Sequence, residues 1–221
     1  LWKSFREYGT EFMRKKNSFY KEQKKIFNNN INEKKEIINF SKKNLEFEKS
    51  GKINILVLGG SQAAKIFAET LPNIFRECLK TGIYLKIYQQ CLPYQNEELG
   101  SFYKNAKIEF EIFNFSNNLI DYFSKANLAI TRSGSSMLAE LTNANIPFIS
   151  IPLPSSADNH QYKNANFYKK KNLSFLIEEK NLSNELFHLI KKIYGNYSVL
   201  NEIISNQRQY SDKNVYKNVN E

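Results

Sequence analysis

From residue 53 onward the chain alternates between two patterns of apolar and polar positions. Short apolar runs occupy 53–58 (Ile-Asn-Ile-Leu-Val-Leu), 83–90, 108–113, 128–131, 147–151 and 174–177. Between them lie stretches with helical spacing of the apolar residues, at 63–80, 95–105, 117–125, 135–143 and 159–171; two more, 182–194 and 199–210, follow the last run. The runs have the length and content of strands buried on both faces, and the stretches between them have the period of amphipathic helices. Strands alternating with helices at this spacing predict right-handed βαβ units. The expected fold is therefore α/β, a Rossmann-like parallel sheet with helices on both faces. The ligand of such a sheet sits beyond the carboxyl ends of its strands. Four loops fall at those ends: 59–62, 114–118, 132–136 and 152–161.

Residues 1–52 are of different material and are expected to precede the regular domain, 53–221, as a basic helical segment. Lys and Arg are dense there, and Trp2, Phe5, Tyr8 and Phe12 recur near helical spacing. An amphipathic helix fits that pattern. It has two readings: a contact with an anionic membrane surface or nucleic acid, or a solvated helix packing its aromatic stripe on a neighbouring domain, which the run of charge favours.

Composition narrows the class without deciding it. A hydrophobic fraction of 41% with 14% aromatic residues belongs to a globular chain. The formal charge of +10 over 221 residues points to an acidic partner, although the Lys excess sits in an Asn- and Ile-rich background. Cys78 and Cys91 share no metal or redox spacing, and two histidines without acidic neighbours give no metal site. No metal or cofactor is expected. No apolar run reaches membrane-spanning length, and a cytoplasmic location is expected.

The chemistry is concentrated in the loops. In Asn127-Leu-Ala-Ile-Thr-Arg-Ser-Gly-Ser-Ser-Met-Leu-Ala-Glu140 a strand breaks into a Gly/Ser turn and resumes as a helix. That arrangement aims backbone N–H groups and a helix dipole at an anion. Ser135 or Ser136 is the expected N-cap. Glu140 lies about one turn in, where a carboxylate reaches sugar hydroxyls beside a phosphate; otherwise it belongs to a solvated face. Gly59-Gly60-Ser61-Gln62 lets the backbone approach a phosphate or ribose, and it is neither the dinucleotide fingerprint nor a P-loop. Asp158-Asn-His-Gln-Tyr-Lys-Asn-Ala165 sets amide and imidazole groups around a helix start. Amides both donate to and accept from hydroxyls, as sugar recognition requires.

Taken in order, Gly59-Gly60-Ser61-Gln62, Thr131-Arg-Ser-Gly with Glu140, and Ile151-Pro-Leu-Pro-Ser-Ser-Ala-Asp-Asn-His-Gln-Tyr-Lys-Asn-Ala165 resemble the C-terminal domain of the MurG family. That family transfers N-acetylglucosamine (GlcNAc) from UDP-GlcNAc to lipid I, completing the peptidoglycan precursor lipid II. The resemblance implies one half of a GT-B glycosyltransferase, holding the nucleotide sugar. It implies that Ser61 contacts the diphosphate or ribose side, and that the backbone at Phe115-Ser116 reads the uracil edge. Ser135, Ser136 and Met137 would hold the diphosphate, Glu140 the ribose, and Gln161 with Asn164 the GlcNAc hydroxyls. It also implies a lipid-linked acceptor, a peripheral site on the cytoplasmic face of the bacterial inner membrane, and no nucleic-acid partner.

The chain departs from the family pattern in places. Ala63 stands where Gly is usual, and Phe115-Ser116-Asn117-Asn118 lacks an acidic pair. No counterpart of the family's N-terminal Gly-Gly-Thr-Gly-Gly-His loop is present in the sequence, and no catalytic base is assigned. The expectation is therefore the donor-binding half of an inverting glycosyltransferase, either a fragment cut at both ends or a degenerate form, and inactive by itself. The alternative is a non-catalytic UDP-sugar-binding module, or one subunit of a two-chain transferase.

Overall fold

The computed structural model describes residues 51–114 and 119–210, leaving aside the side chains of residues 60–64. The basic segment 1–52 falls almost wholly outside the described residues, as does the loop 115–118 that includes Ser116. Six strands form one sheet: β1 (Lys52–Leu58), β2 (Tyr84–Gln90), β3 (Glu109–Phe113), β4 (Leu128–Thr131), β5 (Phe148–Ser150) and β6 (Phe175–Leu176). Their order is β3-β2-β1-β4-β5-β6, and every pairing is parallel. The helices are α1 (Gly60–Lys80), α2 (Asn96–Asn105), α3 (Leu119–Lys125), α4 (Ser135–Asn143), α5 (His160–Lys170), α6 (Leu182–Gly195) and α7 (Ser198–Tyr210).

Alternation along β1 explains why the sheet is covered twice. Ile53, Ile55 and Val57 face one side and pack with Phe67, Leu71 and Phe75 of α1, Leu99 and Tyr103 of α2, and Leu186 and Ile190 of α6. Leu56 and Leu58 face the other and pack with Phe123 of α3 and Leu138 and Leu141 of α4. Successive side chains of a strand point to opposite faces, so an all-apolar strand serves two cores at once. Each fully buried aliphatic side chain contributes roughly 1.5–3 kcal/mol. Cys78 lies in the first core, and burial pushes its thiol up to about 12.

The two ends of the helices are finished differently. Four helices close with the same pair of backbone bonds across a left-handed residue. At α1, Gly82 (φ 81°) donates to Leu79 O at 3.0 Å and Ile83 donates to Cys78 O at 3.0 Å. Lys107, Asn145 and Asn172 occupy the same position after α2, α4 and α5. These bonds satisfy the last carbonyls and turn the chain directly into the next strand. At the opposite edge α1 and α4 begin with no side-chain cap, while in the first turn of α5 Gln161 N–H donates to Ser156 Oγ at 3.4 Å. The left-handed closures lie at the edge where the strands begin, and the helix starts at the edge where the strands finish.

The start of the first helix differs from the sequence expectation by a full turn, where the other described bounds agree to about a residue. The stretch 59–62 is not a free turn before a helix at Ala63: α1 starts at Gly60, and Gly59 alone joins it to β1, with φ −85° and ψ −29°. The apolar period becomes visible only where side chains pack, one turn after the helix has begun. The expected start of α3 at residue 117 lies outside the described residues.

Candidate functional site

β1 and β4 lie side by side at the centre of the sheet, and their following helices, α1 and α4, cover opposite faces. The order of strands reverses there, the point beyond whose carboxyl ends such sheets bind their ligands. The Gly59 connection and the Arg132–Ser136 stretch both leave the sheet at this point. Periodicity and loop chemistry had placed them at strand ends; the topology makes them neighbours.

Ser135 and Ser136 are not the N-cap. Gly134 is, with extended dihedrals (φ −65°, ψ 132°), and Leu138 N–H donates to its carbonyl at 3.1 Å. Helix geometry leaves the amides of Ser135, Ser136 and Met137 without an intrahelical acceptor. A glycine cap has no oxygen to offer them. Both serines are exposed and Met137 is half-buried. The positive end of α4 therefore stands uncapped at the switch point, the arrangement that receives a phosphate. Glu140 is half-buried on α4, four residues beyond Ser136 and hence on the same side of the helix.

Gln161 and Asn164, one turn apart on α5, reach across to this loop. Ser133 N–H donates to Gln161 Oε1 at 3.1 Å, and Leu153 N–H donates to the same oxygen at 3.0 Å. Asn164 Nδ2 donates to Ser133 O at 3.1 Å. Gln161 thus joins the loop after β4 to the loop after β5, and its carbonyl is engaged with backbone. Asp158 (φ 48°) and Asn159 (φ 55°) both adopt left-handed dihedrals just before α5. Asn and Asp tolerate that region better than other residues with a Cβ, which accounts for the pair here. His160, exposed, places Nδ1 2.8 Å from Ala157 O, a local contact at the helix start.

Arg132 was legible only as a loop member, and the structure gives it a larger part. It is 9% exposed. Its Nη1 donates to Ile151 O at 3.2 Å and Pro152 O at 3.3 Å, its Nη2 pairs with Glu179, and its guanidinium carbon lies 4.9 Å from the Phe67 ring centroid. A buried arginine at the end of an apolar strand requires an acidic partner. Glu178-Glu179 after β6 is the sequence signal that could have supplied it.

The remaining predicted positions are distributed as follows. Ser61 lies in the first turn of α1, at the end of β1. Ser116 lies outside the described residues, but the chain leading to it is well anchored. Asn114 Nδ2 donates to Cys91 O at 3.0 Å and to Asn96 Oδ1 at 2.7 Å. Among the described residues no group of His, Cys, Asp or Glu is arranged to hold a metal ion.

A helix N-terminus without a side-chain cap at the switch point of a doubly wound sheet is the arrangement found in nucleotide-binding α/β domains. The chain belongs to glycosyltransferase family 28: residues 54–219 match the family described as "Glycosyltransferase family 28 C-terminal domain". Residues 1–53 match a second family, described as "Domain of Unknown Function (DUF349)". The chain is 38% identical over 173 residues to the UDP-N-acetylglucosamine–N-acetylmuramyl-(pentapeptide) pyrophosphoryl-undecaprenol N-acetylglucosamine transferase of Pelagibacter ubique, covering 76% of this chain and 47% of that one. The enzyme of the same name from Rickettsia prowazekii is 35% identical over 167 residues, covering 74% of this chain and 43% of that one. The crystal structure of Acinetobacter baumannii MurG matches with a TM-score of 0.69 at 25% identity, over 81% of this chain and 54% of that one. The resemblance to the MurG family holds, and the described sheet is a Rossmann-like half of a GT-B glycosyltransferase. The chain spans about half the length of these relatives.

Proposed function

We propose that this domain binds UDP-GlcNAc as the donor of an inverting glycosyl transfer, and that the acceptor is lipid I, converted to lipid II. The observation that carries the reading is the Gly134-capped N-terminus of α4, which leaves amide donors open at the switch point. The diphosphate is assigned to the amides of Ser135, Ser136 and Met137, with Ser61 beside it. Glu140 takes the ribose hydroxyls and the Phe115-Ser116 backbone the uracil edge. Since Gln161 Oε1 is engaged, its Nε2 is the group left to donate to a GlcNAc hydroxyl, with Asn164 alongside. Inversion needs a base for the acceptor hydroxyl and stabilisation of the departing UDP. The domain supplies the second: donors fixed in advance on a helix end stabilise charge as it develops on the leaving diphosphate. The base is assigned to none of the described residues.

Calorimetry on the purified chain tests the donor assignment. UDP and UDP-GlcNAc are expected to bind, with ATP and NAD weaker by about ten-fold or more, since a uracil-reading edge and a ribose carboxylate discriminate by hydrogen bonds. Equal affinity for all four would reduce the site to a general anion hole.

The same reading places the protein peripherally on the cytoplasmic face of the inner membrane, where a lipid-linked acceptor resides. No helix among the described residues is long and apolar enough to cross a membrane. The basic, aromatic stretch 1–52 is the candidate contact. The full chain should co-sediment with anionic but not neutral vesicles, and lose that behaviour at high salt. Failure to sediment with either removes the membrane role from 1–52.

A further inference from the structure

Arg132 and Glu179 lie outside every role assigned so far, yet their contacts bring together four segments of the chain. The arginine extends from the end of β4, directly before Ser133-Gly134. Its guanidinium covers Phe67 of α1, donates to two successive carbonyls at the end of β5, and pairs with Glu179 beyond β6. Each contact constrains a different segment. The plane of the guanidinium fixes their relative orientation in a way a point charge would not. Glu179 also lines a cavity of about 390 Å³ with Pro152 and Leu153.

We propose that Arg132 and Glu179 are a positioning pair that sets the spacing between the β4–α4 and β5–α5 loops, and with it the aim of the α4 amides at the donor diphosphate. The ligand half of this statement rests on the donor reading above; the loop half does not. Gln161 joins the loops at Ser133 and Leu153, through two bonds to one oxygen. Those bonds persist only if the two loops are already held at the right distance, and the arginine supplies that by reaching past Ser133 to Ile151 and Pro152. The pair touches neither ligand nor reacting atoms in this arrangement and acts through the backbone it holds.

The test compares the full chain with two variants, Glu179→Gln and the double replacement Arg132→Met with Glu179→Leu. The single change strands a buried guanidinium and risks the fold. The double change removes both charges, and such replacements are commonly neutral for stability. Amide hydrogen exchange is read at Ser133 and Leu153, with Leu56 and Val57 of β1 as the core reference. In the double variant the two loop amides should exchange about ten-fold faster or more while the β1 amides keep their rates, the signature of local rather than global opening. UDP affinity should fall by about ten-fold, as expected for a displaced set of charge-assisted hydrogen bonds. Wild-type exchange at Ser133 and Leu153 would overturn the proposal, and so would equal acceleration in β1, which would make the pair a global stabiliser only. Faster loop exchange with unchanged UDP affinity would overturn the positioning role. If the unaltered chain bound no UDP, the donor reading would fall, and the exchange rates alone would decide whether the pair holds the loops.

Discussion

Replacing Gln161 by alanine is expected to weaken UDP as well as UDP-GlcNAc, by about ten-fold or more for each. The chemistry of an amide in a sugar-binding motif argues for a narrower result, loss of the sugar contact with UDP unaffected. The geometry broadens it. Gln161 Oε1 accepts from both Ser133 and Leu153. Its removal leaves two partly buried amides without acceptors, at about 1–3 kcal/mol each where water does not replace them. Ser133 directly precedes the Gly134 cap, so the penalty falls on the segment that presents the diphosphate donors. Gln161→Glu separates the contributions, because it keeps the oxygen acceptor and removes the nitrogen donor. That variant should retain UDP affinity and lose UDP-GlcNAc preference. Calorimetry with both ligands on both variants is the measurement. UDP binding unchanged in Gln161→Ala would show that the α4 end holds its aim without this link.

Glu140→Ala is expected to lower UDP affinity by about ten-fold or more with little change in melting temperature. A carboxylate on ribose hydroxyls makes charge-assisted bonds, worth roughly 1.5–3 kcal/mol. Glu140 lies beyond the first turn of α4, past the reach of the uncapped amides, so its removal should leave the diphosphate contacts in place. Deoxyuridine diphosphates provide the control. If the carboxylate engages the 2′-hydroxyl, the deoxy ligand should bind the unaltered chain about as weakly as UDP binds the alanine variant, and the two losses should not add. Unchanged affinity in Glu140→Ala would return the residue to the helix surface.

The sheet was legible because its strands are buried on two sides and so are apolar throughout. Ile53, Ile55 and Val57 serve one core while Leu56 and Leu58 serve the other, and no polar residue blurs the run beyond Asn54. β4 came out with the predicted bounds for the same reason, and α4 did so because Leu138 and Leu141 mark its period. The helix starts were harder. Gly60 begins α1 before any packed side chain marks the period, and the cap of α4 is set by the extended dihedrals of Gly134 rather than by the serines beside it. Long-range side-chain pairings were at best hinted at, as by Glu178-Glu179 for a buried arginine. Nothing local to Arg132 indicates Glu179, and nothing in the 158–165 motif shows that Gln161 turns its oxygen back toward Ser133. Periodicity reports how a residue meets its own element; these contacts join elements that only the topology brings together.

The two tasks of Gln161, the loop bonds observed and the sugar contact proposed, bear on how sequences of this kind are read across evolution. A residue that both orders two loops and addresses a ligand stays under selection after either task has lapsed. A descendant that had given up sugar recognition would still keep the glutamine in order to hold Ser133 against Leu153. Its persistence at this position is therefore testimony about backbone architecture first and about substrate second. Exposed positions with no such second employment, Ser135 and Ser136 foremost, are free to drift once the ligand is gone. In a lineage of such chains, those two serines would be the earlier record of whether binding is still in use.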